Sequence, residues 1–264
     1  MNETFLKFDK KVLEALYAKY NKREYVSPDP LQFLYNFQDI QDREIVGFIS
    51  ATLAYGRVDM ILKTLTWVFE RMEHPKDYLT SESTPRIERD FSSFKHRFTK
   101  GKSFSKFLIT IKEILEGYGS IKSCFLSFLR PGDPTVLNAL YGFSKLFGDC
   151  RENSWCLVPD PGKNSPMKRM NLFLRWMVRE DEVDPGGWNE IRPSMLIVPL
   201  DVHMYRFGIR NGLIRGKTPS LRAALELTEV FRLVSPQDPV KYDFVITRPG
   251  IWANSSLKEG YELG

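Results

Sequence analysis

Apolar residues in this chain recur at steps of three and four, and no stretch alternates at a step of two. A period near 3.6 belongs to an α-helix with one buried face, whereas a half-buried strand needs a period of two. The spacing therefore predicts an all-α fold. Val12, Leu13, Leu16 and Tyr17 place a first helix over 9–20. Asp29 and Pro30 suit the start of a second, one as cap and the other in the first turn, with Leu31, Leu34 and Tyr35 inward. Residues 42–54 (DREIVGFISATLA) are apolar on nearly every side after the first turn, as a central helix must be. Tyr55-Gly56-Arg57 breaks it, and an amphipathic helix follows over 58–72. The polar stretch 75–103, around Pro85, reads as a looser connection. Further helices are expected over 104–129, 134–148, 166–179, 201–212, 219–233 and 237–249, with 159–166 and 180–195 as loops. The expectation is one compact unit over 1–264, built of two intertwined helical lobes near 30–150 and 151–264 with a cleft between them.

Charge narrows the partners. The net charge is +5 and the isoelectric point about 9.0, a modest excess that favours phosphate-rich ligands without requiring them. Its distribution is more specific. Five basic residues and no acid lie between Lys163 and Arg179, and five more (Arg206, Arg210, Arg215, Lys217, Arg222) with no acid between Val202 and Leu225. The three cysteines, Cys124, Cys150 and Cys156, include no CxxC pair and cannot supply a four-cysteine iron–sulfur or zinc site. No disulfide framework, signal core or bilayer-length apolar run is visible, so a cytoplasmic, membrane-free protein is expected.

Two residues stand out as chemistry. Met170, Phe173, Leu174 and Met177 form the buried stripe of the helix after Pro166, which leaves Lys168 in its first turn and off that stripe. The positive end of a helix and partial burial both favour a free amine, the form that acts as a nucleophile. Asp201 sits where a helix cap belongs, and a carboxylate fixed there is preorganised. His203, Arg206 and Arg210 share one face of the helix it opens, suited to phosphates. A solvated lysine and a plain cap account for Lys168 and Asp201 equally well from spacing alone.

The surrounding motifs carry a resemblance. IVPLDVHMYRFGIRNGLI resembles the segment of endonuclease III-type glycosylases, of the helix-hairpin-helix superfamily, that holds their catalytic carboxylate, which corresponds to Asp201. KRMNLFLRWM is similar to the helix opened by their catalytic lysine, with Lys168 and Asn171 at the matching positions. The interval from Lys168 to Asp201 is closer to that of archaeal 8-oxoguanine glycosylases than to that of endonuclease III. From about Asp29 to Ile251 the chain also resembles a bacterial family of unknown function, through DPLQFLYNF, LAYGR, SPMKRMNLFLRWMVR, DPGGW, VPLDVH and PQDPVKYDF. One departure is clear. The superfamily's leucine-proline-glycine-x-glycine turn is replaced by VPDPGKNSP at 158–166.

The resemblance implies a two-lobed glycosylase fold with a divergent hairpin. It implies a DNA glycosylase with AP-lyase activity on an oxidised purine, 8-oxoguanine foremost, with Lys168 as nucleophile and Asp201 as its carboxylate partner. DNA, damaged duplex or single strand, is the implied partner of a monomeric, nucleoid-associated protein without cofactor or metal. Tyr55, Arg57, Lys163, Arg175, His203, Arg206 and Arg210 are its candidate DNA contacts, with Tyr55 placed to fill the gap left by a flipped nucleotide. Gln32, Leu172, Trp176, Tyr242, Asp243 and Trp252 are candidates for the base pocket. Lys241 and Arg248 read as solvated charges or phosphate contacts. Two other readings stay open: a DNA-binding protein of this fold without the chemistry, and, more remotely, a metal-dependent hydrolase using Asp201 and His203.

Overall fold

A computed structural model of the chain describes residues 10–148, 157–216 and 218–253, with side chains through Arg248. The fold is all-α. Its helices are α1 (Lys10–Tyr20), α2 (Ile40–Thr52), α3 (Val58–Met72), α4 (Pro75–Ser81), α5 (Thr84–Asp90) and α6 (Gly101–Tyr118). They continue with α7 (Ile121–Ser127), α8 (Leu137–Lys145), α9 (Lys168–Val178), α10 (Val202–Arg210), α11 (Leu221–Val234) and α12 (Asp243–Ala253). The only sheet among the described residues is a hairpin of β1 (Lys95–His96) and β2 (Thr99–Lys100).

The centre is α2, as its composition predicts. Every residue from Glu44 to Thr52 is buried. The Phe48 ring meets Phe107 of α6, Phe143 of α8 and Phe173 of α9 at centroid distances of 5.2, 5.6 and 5.3 Å. Three helices thus converge on one side chain, and burying a ring of this size stabilises by roughly 2–3 kcal/mol before cavity effects are counted. Gly47 permits the close approach of α9, because a Cβ there would lie 3.1 Å from Leu34 and 3.4 Å from Met177 and Phe173.

Several expected elements differ. Asp29 does cap the turn at Pro30, accepting from the Leu31 amide at 2.9 Å, but Pro30–Asn36 winds as a 3-10 helix, not an α-helix. The stretch 75–103 is ordered: α4 and α5 fill it, followed by the hairpin. Its prolines, Pro75 and Pro85, occupy first-turn positions, where the missing N–H costs nothing. Leu79, Ile87, Phe91 and Phe94 anchor it in the core. Strands of two residues are too short to show a period, so the hairpin leaves no pattern in the sequence. The expected helix over 104–129 divides into α6 and α7 at Gly119, whose φ of 79° ends α6 in the left-handed region. The last helix starts at Asp243, six residues late, because turns at Asp238 and Val240 precede it.

The loop after α9 is pinned by charge. Arg175 and Arg179, one turn apart on α9, both grip Asp184, which is fully buried. Arg179 also pairs with Asp181 and Asp238 at 2.8 Å each, and Arg175 with Asp243 at 2.5 Å. Buried charges persist only when paired in this way.

Candidate active site

A cleft of about 1000 Å³ opens where the end of α2, the start of α9, the start of α10 and the first turns of α12 meet. Its wall includes Ala54, Tyr55, Lys168, Leu172, Asp201 and His203. Lys168 is the first residue of α9. It follows Met167, whose φ of 51° is left-handed and unusual for a non-glycine residue. The half-buried Lys168 Nζ donates to the Ala54 carbonyl at 3.5 Å, the loose end of hydrogen-bond length. Asp201 caps α10 by accepting from the Met204 amide through Oδ1 at 2.7 Å. Capping occupies that one oxygen, and Asp201 lines the same cleft as Lys168. The starts of two helices remote in sequence thus place both residues on the wall of one cleft.

A second carboxylate lies deeper. Burial pushes Asp243 up to about 6, against the pull of Arg175, and the charge of Asp201 adds to the rise. Its Oδ2 accepts from Arg175 Nη1, while Oδ1 is buried without a donor. Arg248, also on the cleft lining, is 1% exposed, with Nη2 donating to Asp29 Oδ2 at 2.8 Å. The expectation of a solvated Arg248 is therefore corrected. Helical spacing that puts an arginine on a surface face in a sequence cannot show that another element closes over it. Lys241 is tied to Glu14 at 2.8 Å.

The remaining candidates divide. Leu172, Asp243, His203, Tyr55 and Arg57 line the cleft; Gln32, Lys163, Arg206 and Arg210 stand outside its lining. Arg175 cannot serve as a phosphate contact, because only 3% of its side chain is exposed and both its partners are buried aspartates. Trp176 and Tyr242 are core residues rather than base contacts: both are buried off the cleft, and the Tyr242 hydroxyl donates to Glu14 at 2.7 Å. The Trp252 side chain lies outside the described residues.

Tyr55 is held rather than poised. Its hydroxyl bonds Thr99 Oγ1 at 2.6 Å and the His96 carbonyl at 3.1 Å, and its ring stands edge-on to His96 at 4.6 Å. His96 Nε2 in turn bonds the Tyr55 carbonyl at 3.1 Å. The hairpin is therefore clamped to the cleft rim, with Phe98 62% exposed at its tip. Arg57 is 82% exposed on the rim and faces Asp59 at 2.7 Å.

Arg169 was not foreseen. It donates to the Thr52 carbonyl at 2.7 Å and lies over the Tyr55 ring at 5.2 Å, and burial brings its guanidinium down to about 10. No local pattern marks it, since its neighbours come from α2. The segment 158–166 closes on itself at one point: Asp160 Oδ1 accepts the Gly162 amide at 2.8 Å. The cleft is also less basic than its flanks. Arg57, Lys168, Arg169, Arg175 and Arg248 are nearly balanced by Asp29, Asp59, Asp201 and Asp243. Among the described residues, no group of three His, Cys, Asp or Glu side chains is placed to hold a metal ion. No helix among them is long and apolar enough to cross a membrane.

A family model described as "Protein of unknown function (DUF2400)" matches residues 29–252. No curated protein and no solved structure matches the chain.

Proposed function

The chain belongs to the DUF2400 family, and we propose that it is a DNA glycosylase with AP-lyase activity on an oxidised purine, 8-oxoguanine foremost. The observation that carries this reading is the presence of Lys168 and Asp201 on one cleft large enough for an extruded nucleotide. Extrusion costs roughly a few kcal/mol, least for a damaged pair. The Lys168 amine attacks the anomeric carbon from the side opposite the base. The glycosidic bond breaks, its electron pair leaves with the base, and the base takes up a proton. Positive charge spreads over the sugar carbon and ring oxygen as this happens, and the Asp201 carboxylate stabilises it. Asp201 then accepts the proton shed by the new amine and returns it to the ring oxygen as the bond from the anomeric carbon to that oxygen breaks, so the sugar ring opens and a Schiff base to Lys168 Nζ forms. Loss of a proton from the adjacent sugar carbon expels the 3′ phosphate and cuts the strand.

A second reading is DNA binding without chemistry; the occupied Gly162 amide and the near-balanced charge of the cleft count against phosphate contacts there in either reading. One experiment separates the two. A duplex bearing a single 8-oxoguanine is incubated with protein and borohydride. The glycosylase reading expects a covalent protein–DNA adduct that disappears in Lys168→Gln. Absence of an adduct with this lesion and with a preformed abasic site would leave the binding reading standing.

A further inference from the structure

The hairpin at the cleft rim carries a positive charge that no acid among the described residues pairs with. From Phe91 to Lys112 the chain has six lysines and arginines and no aspartate or glutamate. Lys95, Arg97, Lys100, Lys102 and Lys106 are all exposed, and none of them forms an ion pair among the described residues. Their placement is costly. Lys95 and Lys100 stand directly opposite across β1 and β2, where like charges repel. Lys100 and Lys102 flank the start of α6, whose first turn holds no acid and no side-chain cap, so cations meet the positive end of a helix. Lys102 and Lys106 are one turn apart on α6 and repel in the same way. Arg97, with a φ of 49°, is the first of two turn residues, a position where so short a hairpin favours glycine.

A polyanion relieves all of these repulsions at once, and what lies among the cations narrows its class. Phe98 is 62% exposed at the hairpin tip, with the Arg97 guanidinium over its ring at 5.3 Å. Cations interleaved with an exposed ring suit a row of phosphates with bases beside them, since every base offers a face to stack on. The hairpin also adjoins the cleft. Gly56 lines the cleft, and a Cβ there would lie 2.7 Å from Arg97 Cδ. Thr99 and His96 are tied to Tyr55 on the same rim. We propose that the β1–β2 hairpin and the start of α6 grip duplex DNA, with Lys95, Lys100, Lys102 and Lys106 on backbone phosphates and Phe98 against a base where the duplex opens. The proposal rests on the glycosylase reading for the choice of DNA, and it names the surface that supplies the phosphate contacts the cleft lacks.

The test measures binding without turnover, by fluorescence anisotropy of an undamaged duplex over a range of salt. Each phosphate contact adds roughly 0.9 to the slope of log affinity against log salt, so Lys95→Gln/Lys100→Gln should lower the slope by about 2 and weaken binding about tenfold or more near physiological salt. Lys10→Gln/Lys19→Gln on α1, which packs on α12, removes as much charge and should change affinity by no more than about twofold. Relief of the like-charge pair should leave the melting temperature of the hairpin variant at or above that of the wild type, which separates lost binding from lost folding. With a duplex carrying one stable abasic analogue, Phe98→Ala should weaken binding roughly tenfold at an unchanged slope, and Phe98→Trp should restore it. No effect of Phe98→Ala overturns the stacking contact. An unchanged slope in the hairpin variant, or an equal loss in the α1 variant, overturns the grip. So does a wild type with no affinity for the duplex, whether or not it binds vesicles of anionic lipid. Borohydride trapping keeps the two readings apart. An 8-oxoguanine adduct with full duplex affinity in the hairpin variant sinks the grip alone, and hairpin-dependent binding without any adduct sinks the glycosylase reading alone.

Discussion

On the proposed function, Asp201 holds two duties that a single substitution pulls apart. Its Oδ1 caps α10 through the Met204 amide, and the same carboxylate faces the cleft wall that Lys168 shares. An asparagine keeps a side-chain oxygen for the cap and loses the charge. Asp201→Asn should therefore melt within a degree or two of the wild type, yet release base about 100-fold more slowly or worse, the scale of losing one transition-state electrostatic contact. Asp201→Ala should lose the same activity and also about 1 kcal/mol of stability from the missing cap. Full activity in Asp201→Asn would reduce the residue to a cap. Arginines on α9 and α12 make the complementary point. Arg175 and Arg248 carry the same group as a solvated arginine, but burial among aspartates turns one into a structural clamp and leaves the other with unmet donors.

At the scale of elements, α2 does more than fill the core. Glu44, 1% exposed, reaches from α2 to the start of α7, where it accepts from the Ile121 amide at 2.7 Å and the Lys122 amide at 3.2 Å. It also accepts from the Trp188 indole at 3.1 Å. One carboxylate thus caps a helix that its own sequence segment caps only with Ser120. Burial pushes Glu44 up to about 7 despite those three donors. Between pH 4.5 and 7 the native state therefore holds this proton more tightly than the unfolded chain does. Stability should fall as pH rises through that window, by on the order of 3 kcal/mol from this group. Glu44→Gln should flatten the slope while losing stability overall, because its amide nitrogen must meet an N–H donor. Denaturant unfolding of both proteins at several pH values measures the difference, and parallel slopes would refute it. The hairpin is the other element-scale device: α3 and the Tyr55 segment hold it through His96, whose Nδ1 bonds Thr64 Oγ1 at 3.1 Å.

Across the whole molecule, one ion network binds segments remote in sequence. Arg175 and Arg179 join α9 to Asp181 and Asp184 in the following loop, to Asp238, and to Asp243 at the start of α12. Tyr17 of α1 joins it through Asp181 at 2.8 Å. Removing one member leaves the others charged and buried. Arg175→Met should cost about 3–5 kcal/mol, read as a lowered denaturant midpoint. A loss below 1 kcal/mol would show that the aspartates release their charge or find water. The same network fixes the start of α12 against α9, and so sets where Asp243 and Arg248 stand relative to Lys168.

What the chain determined by itself was local. Helical periodicity specifies the all-α class and the central place of α2, because a buried face leaves its own spacing. Asp201 could be read as a cap, since a cap and its amide partner are close neighbours in sequence. What only tertiary structure decided depends on contacts between distant segments. The hairpin over Tyr55, the partial burial of Arg169, the burial of Arg248, the diversion of Arg175 into an ion network and the shared cleft of Lys168 and Asp201 are all of this kind. A side chain's charge and size are written in the sequence, but its solvation and its partners are set by whichever elements the fold lays across it.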